Sequence, residues 1–230
     1  MINKSCSMFS LIFFTFLLAL GSSSALADTV LFTIDTANPG LNTGSGGCCT
    51  GPYATVLVDR TSSTSATITF DSMTNGGFEY LIGSNNGAGV NVNGDFGVSN
   101  ITATNSIAGF SAPSVSDGGA SQMDGFGKFN ETIAFFDGFT HTATELTFDL
   151  TALNGNSWAA VGDVLTPNAG GFEVVFHGFS CATTCSSTEG ATSTGFASTG
   201  AAVPEPTSLG LSGVLIGLLA VGSRRFRKHA

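Results

Sequence analysis

Ser65-Ala66-Thr67-Ile68-Thr69-Phe70 and Thr144-Glu145-Leu146-Thr147-Phe148-Asp149-Leu150 decide the fold. Every second residue is apolar: Ala66, Ile68 and Phe70 in the first stretch, Leu146, Phe148 and Leu150 in the second. Side chains alternate across a strand, so this period sends one set into a core and turns Thr, Glu and Asp toward solvent. Phe172, Val174 and Phe176 repeat the pattern within Gly171–Phe179. Further strands are expected over Thr29–Ile34, Tyr53–Asp59, Phe78–Ile82, Gly89–Asn93 and Phe129–Phe136, separated by Gly, Asn, Asp and Ser. No stretch carries a persuasive helical period. Many short strands with turn signals between them predict an all-β protein, a single β-sandwich or jelly-roll-like domain. The many Phe residues of the body, with Trp158, are expected to supply its core. Gly-Phe recurs at irregular intervals, which rules against a solenoid and marks places where Gly relieves a turn and Phe enters the core.

Both ends read as processing segments. Lys4, the apolar stretch Leu11–Leu20 and Ala25-Leu26-Ala27 form a signal peptide over residues 1–27, with cleavage after Ala27 leaving Asp28 first. At the other end stand Val203-Pro204-Glu205-Pro206, an apolar run over 209–221, and the basic residues Arg224, Arg225, Arg227 and Lys228. The two prolines fix φ and remove backbone donors, so the motif presents an extended, accessible segment. Thirteen residues rise roughly 20 Å as a helix, short of the ~30 Å hydrocarbon core, which suits a temporary anchor. The basic cluster acts as a membrane stop on the cytoplasmic side and places the body outside.

This order of parts resembles the tripartite sorting tail of the PEP-CTERM proteins of exopolysaccharide-producing Gram-negative bacteria. The resemblance covers only residues 203–228. It implies signal peptidase and an exosortase as processing partners. It also implies transient anchoring in the inner membrane through a C-terminal transmembrane sorting helix, then a place at the cell surface or outside the cell. It further implies a structural or adhesive role in exopolysaccharide, biofilm or floc. A secreted carbohydrate-binding module, or a secreted hydrolase, is the alternative.

The body, residues 28–185, is expected to be the extracellular domain. Ser186–Ala202, with eight Ser or Thr and seven Gly or Ala in seventeen residues, is expected to be a flexible linker. Residues 28–202 hold fifteen carboxylates against only Arg60 and Lys128, more acidic than the whole-chain charge of −9 implies. Such a surface repels phosphate backbones, which argues against nucleic acid as a partner and favours cations. Cys48, Cys49, Cys181 and Cys185 are an even set in an exported domain and predict disulfides in one of three pairings. The adjacent pair suits a four-thiolate zinc site poorly.

Chemistry is thinly signalled. No metalloprotease, P-loop or dinucleotide motif occurs, and Gly155-Asn156-Ser157-Trp158-Ala159 lacks the last Gly of a nucleophile elbow. No catalytic residue is therefore expected. His141 and His177 read as strand-surface residues, and Glu79, Glu131, Glu145 and Glu173 are the carboxylates from which a glycosidase pair would have to come. Asn91-Val92-Asn93-Gly94-Asp95, with Asp117-Gly118, Asp124-Gly125 and Asp137-Gly138, offers oxygen ligands to calcium. Hairpin turn chemistry is the plainer reading of the same residues.

Overall fold

The computed structural model describes residues 28–42, 49–83, 85–135, 141–184 and 191–200. The expected signal peptide, including Ala25 and Ala27, and the whole tail with its sorting motif, apolar run and basic stop lie outside them, as do Cys48 and Cys185.

The protein is all-β. The strands are β1 (Asp28–Ile34), β2 (Thr36–Ala37), β3 (Ala54–Ser62), β4 (Ser65–Ser72), β5 (Thr74–Asn75), β6 (Phe78–Gly83), β7 (Ala88–Val90) and β8 (Phe96–Thr104). They continue with β9 (Val115–Asp117), β10 (Ser121–Met123), β11 (Gly127–Phe129), β12 (Glu131–Phe135), β13 (Thr142–Ala143), β14 (Glu145–Ala152), β15 (Val174–Ala182) and β16 (Ala191–Ser198). Among the described residues a helical turn, α1 (Pro39–Asn42), and a 3-10 turn at Val161–Asp163 interrupt them.

β1-β3-β4-β14-β8 form a five-stranded antiparallel sheet. A nine-stranded antiparallel sheet follows the path β13-β6-β15-β7-β12-β9, with β16 pairing β15 and β2, and β5 pairing β6. The β5–β6 hairpin turns through Gly76 and Gly77, both at positive φ (59° and 83°), the conformation a two-residue hairpin loop demands. One continuous core draws Val56, Ile68, Phe70, Leu146 and Phe148 from the smaller sheet and Tyr80, Val90, Ile133, Phe135 and Phe176 from the larger. Two sheets sharing one core are consistent with a β-sandwich. Trp158 is fully buried in the same cluster.

Several elements depart from the sequence reading, each for a local reason. Ser186–Ala202 is not wholly a linker: Ala191–Ser198 is strand β16, hydrogen-bonded to β15 from Val175↔Ser198 to Cys181↔Ala191. The domain therefore extends past residue 185. β8 escapes a period-two reading because Asn100, at φ 53°, sits at a bulge where the β14 register shifts between Thr147 and Asp149. The extra residue flips the phase, so Val98 faces inward on one side of it and Ile101 and Ala103 on the other.

The strand expected over Phe129–Phe136, whose last residue lies outside the described ones, divides at Asn130 into Gly127–Phe129 and Glu131–Phe135. The Asn130 side chain accepts from Val92 N (2.7 Å) and donates to Val92 O (2.7 Å), imitating a neighbouring strand. Phe172 does not share the main core face with Val174 and Phe176; it precedes β15 and packs edge-on against Phe126, centroids 5.1 Å apart. β15 is covered on both faces, because Val175 packs beneath Met123, Phe126 and Phe129, and Phe179 beneath Phe110.

Candidate functional site

Antiparallel register arranges the outer face of the five-stranded sheet in rows. Thr33, Thr55, Asp71, Glu145 and Thr104 align across all five strands, then Leu31, Leu57, Thr69, Thr147 and Thr102, then Thr29, Asp59, Thr67, Asp149 and Ser99. None of these residues is buried as a whole, although Asp59 Oδ1 is withdrawn from solvent, and Leu31 is 60% exposed. Directly opposed side chains lie close enough to bond. Accordingly Thr67 Oγ1 donates to Asp149 Oδ1 (2.7 Å), Asn100 Nδ2 donates to Asp149 Oδ2 (2.7 Å), and the Thr69 and Thr147 hydroxyls stand 3.2 Å apart. A shallow groove of about 220 Å³ runs over Thr61, Thr67, Asn100 and Asp149. The face offers hydroxyls and carboxylates held in fixed positions by β geometry.

A second groove, about 430 Å³, opens on the larger sheet between α1, the β10–β11 turn and β16. His177 and Phe196 meet in it as neighbours in register on β15 and β16, stacked with centroids 4.1 Å apart and planes 12° apart. Asp124 lines its wall, and Asn38 Nδ2 points to Asp124 O (3.4 Å) and Asp124 Oδ2 (3.5 Å). Burial holds the His177 imidazole below the usual histidine range, and its Nδ1 lies 3.2 Å from Asn85 O. His141 stands apart, bridged by backbone to Ser111.

The third feature is a carboxyl inside the fold. Glu131 opens β12 and has the same parity as the core residues Ile133 and Phe135. It ends a row that runs Val174, Val90, Glu131. The residue is 3% exposed and its Oε1 makes no hydrogen bond. Burial, then the charge of Asp117 and a hydrogen bond shared with that carboxyl, push its pKa up to about 7. Asp117 ends β9 at the exposed rim, where Gly119 N donates to its Oδ1 (2.8 Å) and Thr132 Oγ1 donates to Gly119 O (2.8 Å). Gly119 adopts φ 61°, so the turn favours glycine there.

The other expected site residues fall as follows. Glu145 lies on the outer face of the small sheet, while burial raises the pKa values of Glu79 on β6 and Glu173 before β15. The carboxyl that adjoins Glu131 belongs to Asp117 and to none of these three. The Asn91–Asp95 oxygens are engaged by a neighbouring loop: Asn93 O accepts from Trp158 Nε1 (3.0 Å) and Asn156 Nδ2 (2.9 Å), and Asp95 Oδ2 accepts from Asn154 Nδ2 (3.2 Å). Among the described residues no three His, Cys, Asp or Glu side chains converge as a metal group. Cys49 and Cys181 are disulfide-bonded, and the Cys49 sulfur lies 3.0 Å from Ser180 Oγ and 3.2 Å from Ser193 Oγ. Asp28 begins β1 and accepts from Val161 N at 3.1 Å. Among the described residues no helix is long and apolar enough to cross a membrane.

Compared with known proteins, the chain matches no family model, no curated protein and no solved structure.

Proposed function

We propose that the protein is an exported component of the cell surface or extracellular matrix, a jelly-roll-like β-sandwich sorted through its tail and adhering through the outer face of its five-stranded sheet. The observation that carries this reading is the ordered array of Thr, Ser, Asp and Glu across that face, each residue at least partly exposed. Hydroxyls and carboxylates in fixed rows match the donors and acceptors of a polyhydroxylated polymer. The shallow groove at Asp149 gives a chain somewhere to lie. Replacing Thr69 and Thr147 together by Tyr should break the flatness while leaving the core untouched. The variant is expected to unfold at the wild-type temperature yet lose most of its co-sedimentation with exopolysaccharide extracted from the host. Unchanged co-sedimentation sinks the adhesive reading.

Export and sorting belong to the same proposal. Asp28, the residue after the Ala25-Leu26-Ala27 motif, lies within β1, so cleavage there would leave the described strand whole. Replacing Pro204, Glu205 and Pro206 by Ala is expected to leave an uncleaved, membrane-bound form, followed by fractionation and intact mass. Normal release of that variant removes the sorting assignment.

A carbohydrate-binding module is the second reading, favoured by the stacked His177–Phe196 pair in its groove. Aromatic rings and a carboxylate such as Asp124 suit a sugar better than they suit hydrolysis. We assign His177 no catalytic role, because its ring is stacked and its Nδ1 is directed at the Asn85 carbonyl.

A further inference from the structure

We infer that the open edge of β1 pairs antiparallel with β1 of a second copy of this chain, joining two five-stranded sheets into one. A strand at a sheet edge presents unpaired N–H and C=O groups, and folded proteins guard such edges with short length, bulges, charge, proline or a covering element. β1 has none of these guards. It bonds to β3 alone, in seven unbroken register pairs from Asp28↔Arg60 to Ile34↔Ala54. Among the described residues no other main-chain hydrogen bond involves residues 28–33. The strand holds no proline and no basic residue, and its one charged side chain, Asp28, stands at the end and accepts from Val161 N (3.1 Å). The other edges are guarded. β8, at the far side of the same sheet, is broken by the bulge at Asn100. The larger sheet ends in β13 and β9, two and three residues long, while β2 and α1 lie along β16.

The strand is complementary to itself. Opposed side chains of an antiparallel pair share a face, and one register alone uses the whole strand: Leu31 opposite Leu31, Val30 opposite Phe32, Thr29 opposite Thr33 and Asp28 opposite Ile34. Every pair except the central one then occurs twice about a two-fold axis through Leu31, as an isologous dimer requires. On the outer face Leu31 is 60% exposed among hydroxyls and carboxylates, and pairing brings the two Leu31 side chains together with a Leu57 flanking each. On the inner face Val30 and Phe32 pack on the core yet stay partly exposed, so the same contact covers the open flank of both cores. No like charges meet within the seven pairs. A different partner would have to supply an equally apolar strand of matching phase, which a second copy carries by construction. The body's excess of carboxylates opposes association from a distance, so added salt should strengthen the dimer. The inference stands apart from the adhesive reading, although two joined sheets would double that face.

The test uses the full-length protein in detergent, with micelles in excess over protein, followed by sedimentation velocity over a concentration series. The wild type is expected to dimerise, and to do so more tightly in about 0.5 M sodium chloride. Leu31→Lys and Leu31→Glu each set like charges opposite one another and should weaken the dimer about tenfold or more. Their circular dichroism and unfolding temperature should match the wild type, because this side chain points out of the fold. Mixing the two variants should restore association, since position 31 then meets an opposite charge. Leu57→Lys, one strand further in on the same face, should leave the dimer largely in place. A wild type that is monomeric at every concentration overturns the proposal. So does a dimer that survives in both Leu31 variants, or one that Leu57→Lys disrupts as strongly, because association then runs through another surface or through the face of the sheet. A mixture that stays monomeric overturns the register, and the proposal with it.

Discussion

A chain ended after Cys185 is expected to lose cooperative unfolding, whereas one ended after Gly200 keeps it. The difference is β16, which covers one side of β15 across seven register pairs and also holds β2. β15 is buried on both faces, so removing its neighbour strands backbone N–H and C=O groups where water reaches poorly. Each buried group left unpaired costs about 1–3 kcal/mol, and several together consume the ~5–15 kcal/mol that holds an ordinary domain folded. α1 goes with it: Ser193 Oγ donates to Leu41 O (2.7 Å), and Phe196 N donates to Asn38 Oδ1 (3.1 Å). Urea titration followed by circular dichroism separates the two chains. A cooperative transition of unchanged midpoint in the shorter one contradicts the role given to β16.

That strand also shows what a sequence conceals. Small residues between 186 and 202 suggest flexibility, but here they answer a demand for close approach. A Cβ on Gly195 would lie 2.4 Å from Asn38 Oδ1 and 2.6 Å from Leu41 N, so only Gly lets α1 lie against β16. Ser193 is small enough to enter the cluster around Ser180 and Cys49 (2.9 Å to Ser180 Oγ). Composition reports what a segment lacks, and packing against a partner far along the chain decides whether that lack matters. Where one face is core and the other solvent, as in β3, β4 and β14, the two-residue period was legible and the strands lie where it puts them. Where a bulge reverses the phase, as at Asn100, or a satellite cluster covers the second face, as on β15, the period misleads.

The candidate sites follow the same division. The polar rows could be anticipated from Thr, Glu and Asp alternating with the core residues, although the pairing that makes them rows is set by register and not by any one strand. Glu131 was visible only as one carboxylate among several. Its parity with Ile133 and Phe135 is the signal that was available, because a Glu in phase with a core stripe is a buried Glu. Asp117 stood out only as a turn or oxygen-ligand residue, and its place beside Glu131 was not readable, because it belongs to a three-residue strand outside any recognisable alternation.

Replacing Trp158 by Ala is expected to destabilise the protein by about 3–5 kcal/mol, the range for deleting a large aromatic from a core. Trp158 is the chain's only tryptophan and is fully buried, although no strand contains it. Its backbone N donates to Ser63 O (2.8 Å), tying its loop to the β3–β4 turn. Its Nε1 donates to Asn93 O (3.0 Å), which fixes the chain leaving β7. Arg60 clamps the same loop through the Trp158 and Ala159 carbonyls (both 2.9 Å), so the loop is held by its backbone on the β3–β4 side and by the indole on the Asn93 side. Trp158→Phe keeps most of the apolar volume and loses the donor, and its cost should fall nearer the ~0.5–1.5 kcal/mol of one hydrogen bond, plus the volume lost. Urea midpoints by circular dichroism measure both variants without relying on indole fluorescence. If Trp158→Ala costs no more than Trp158→Phe, the packing contribution is absent and the loop is held by its hydrogen bonds alone.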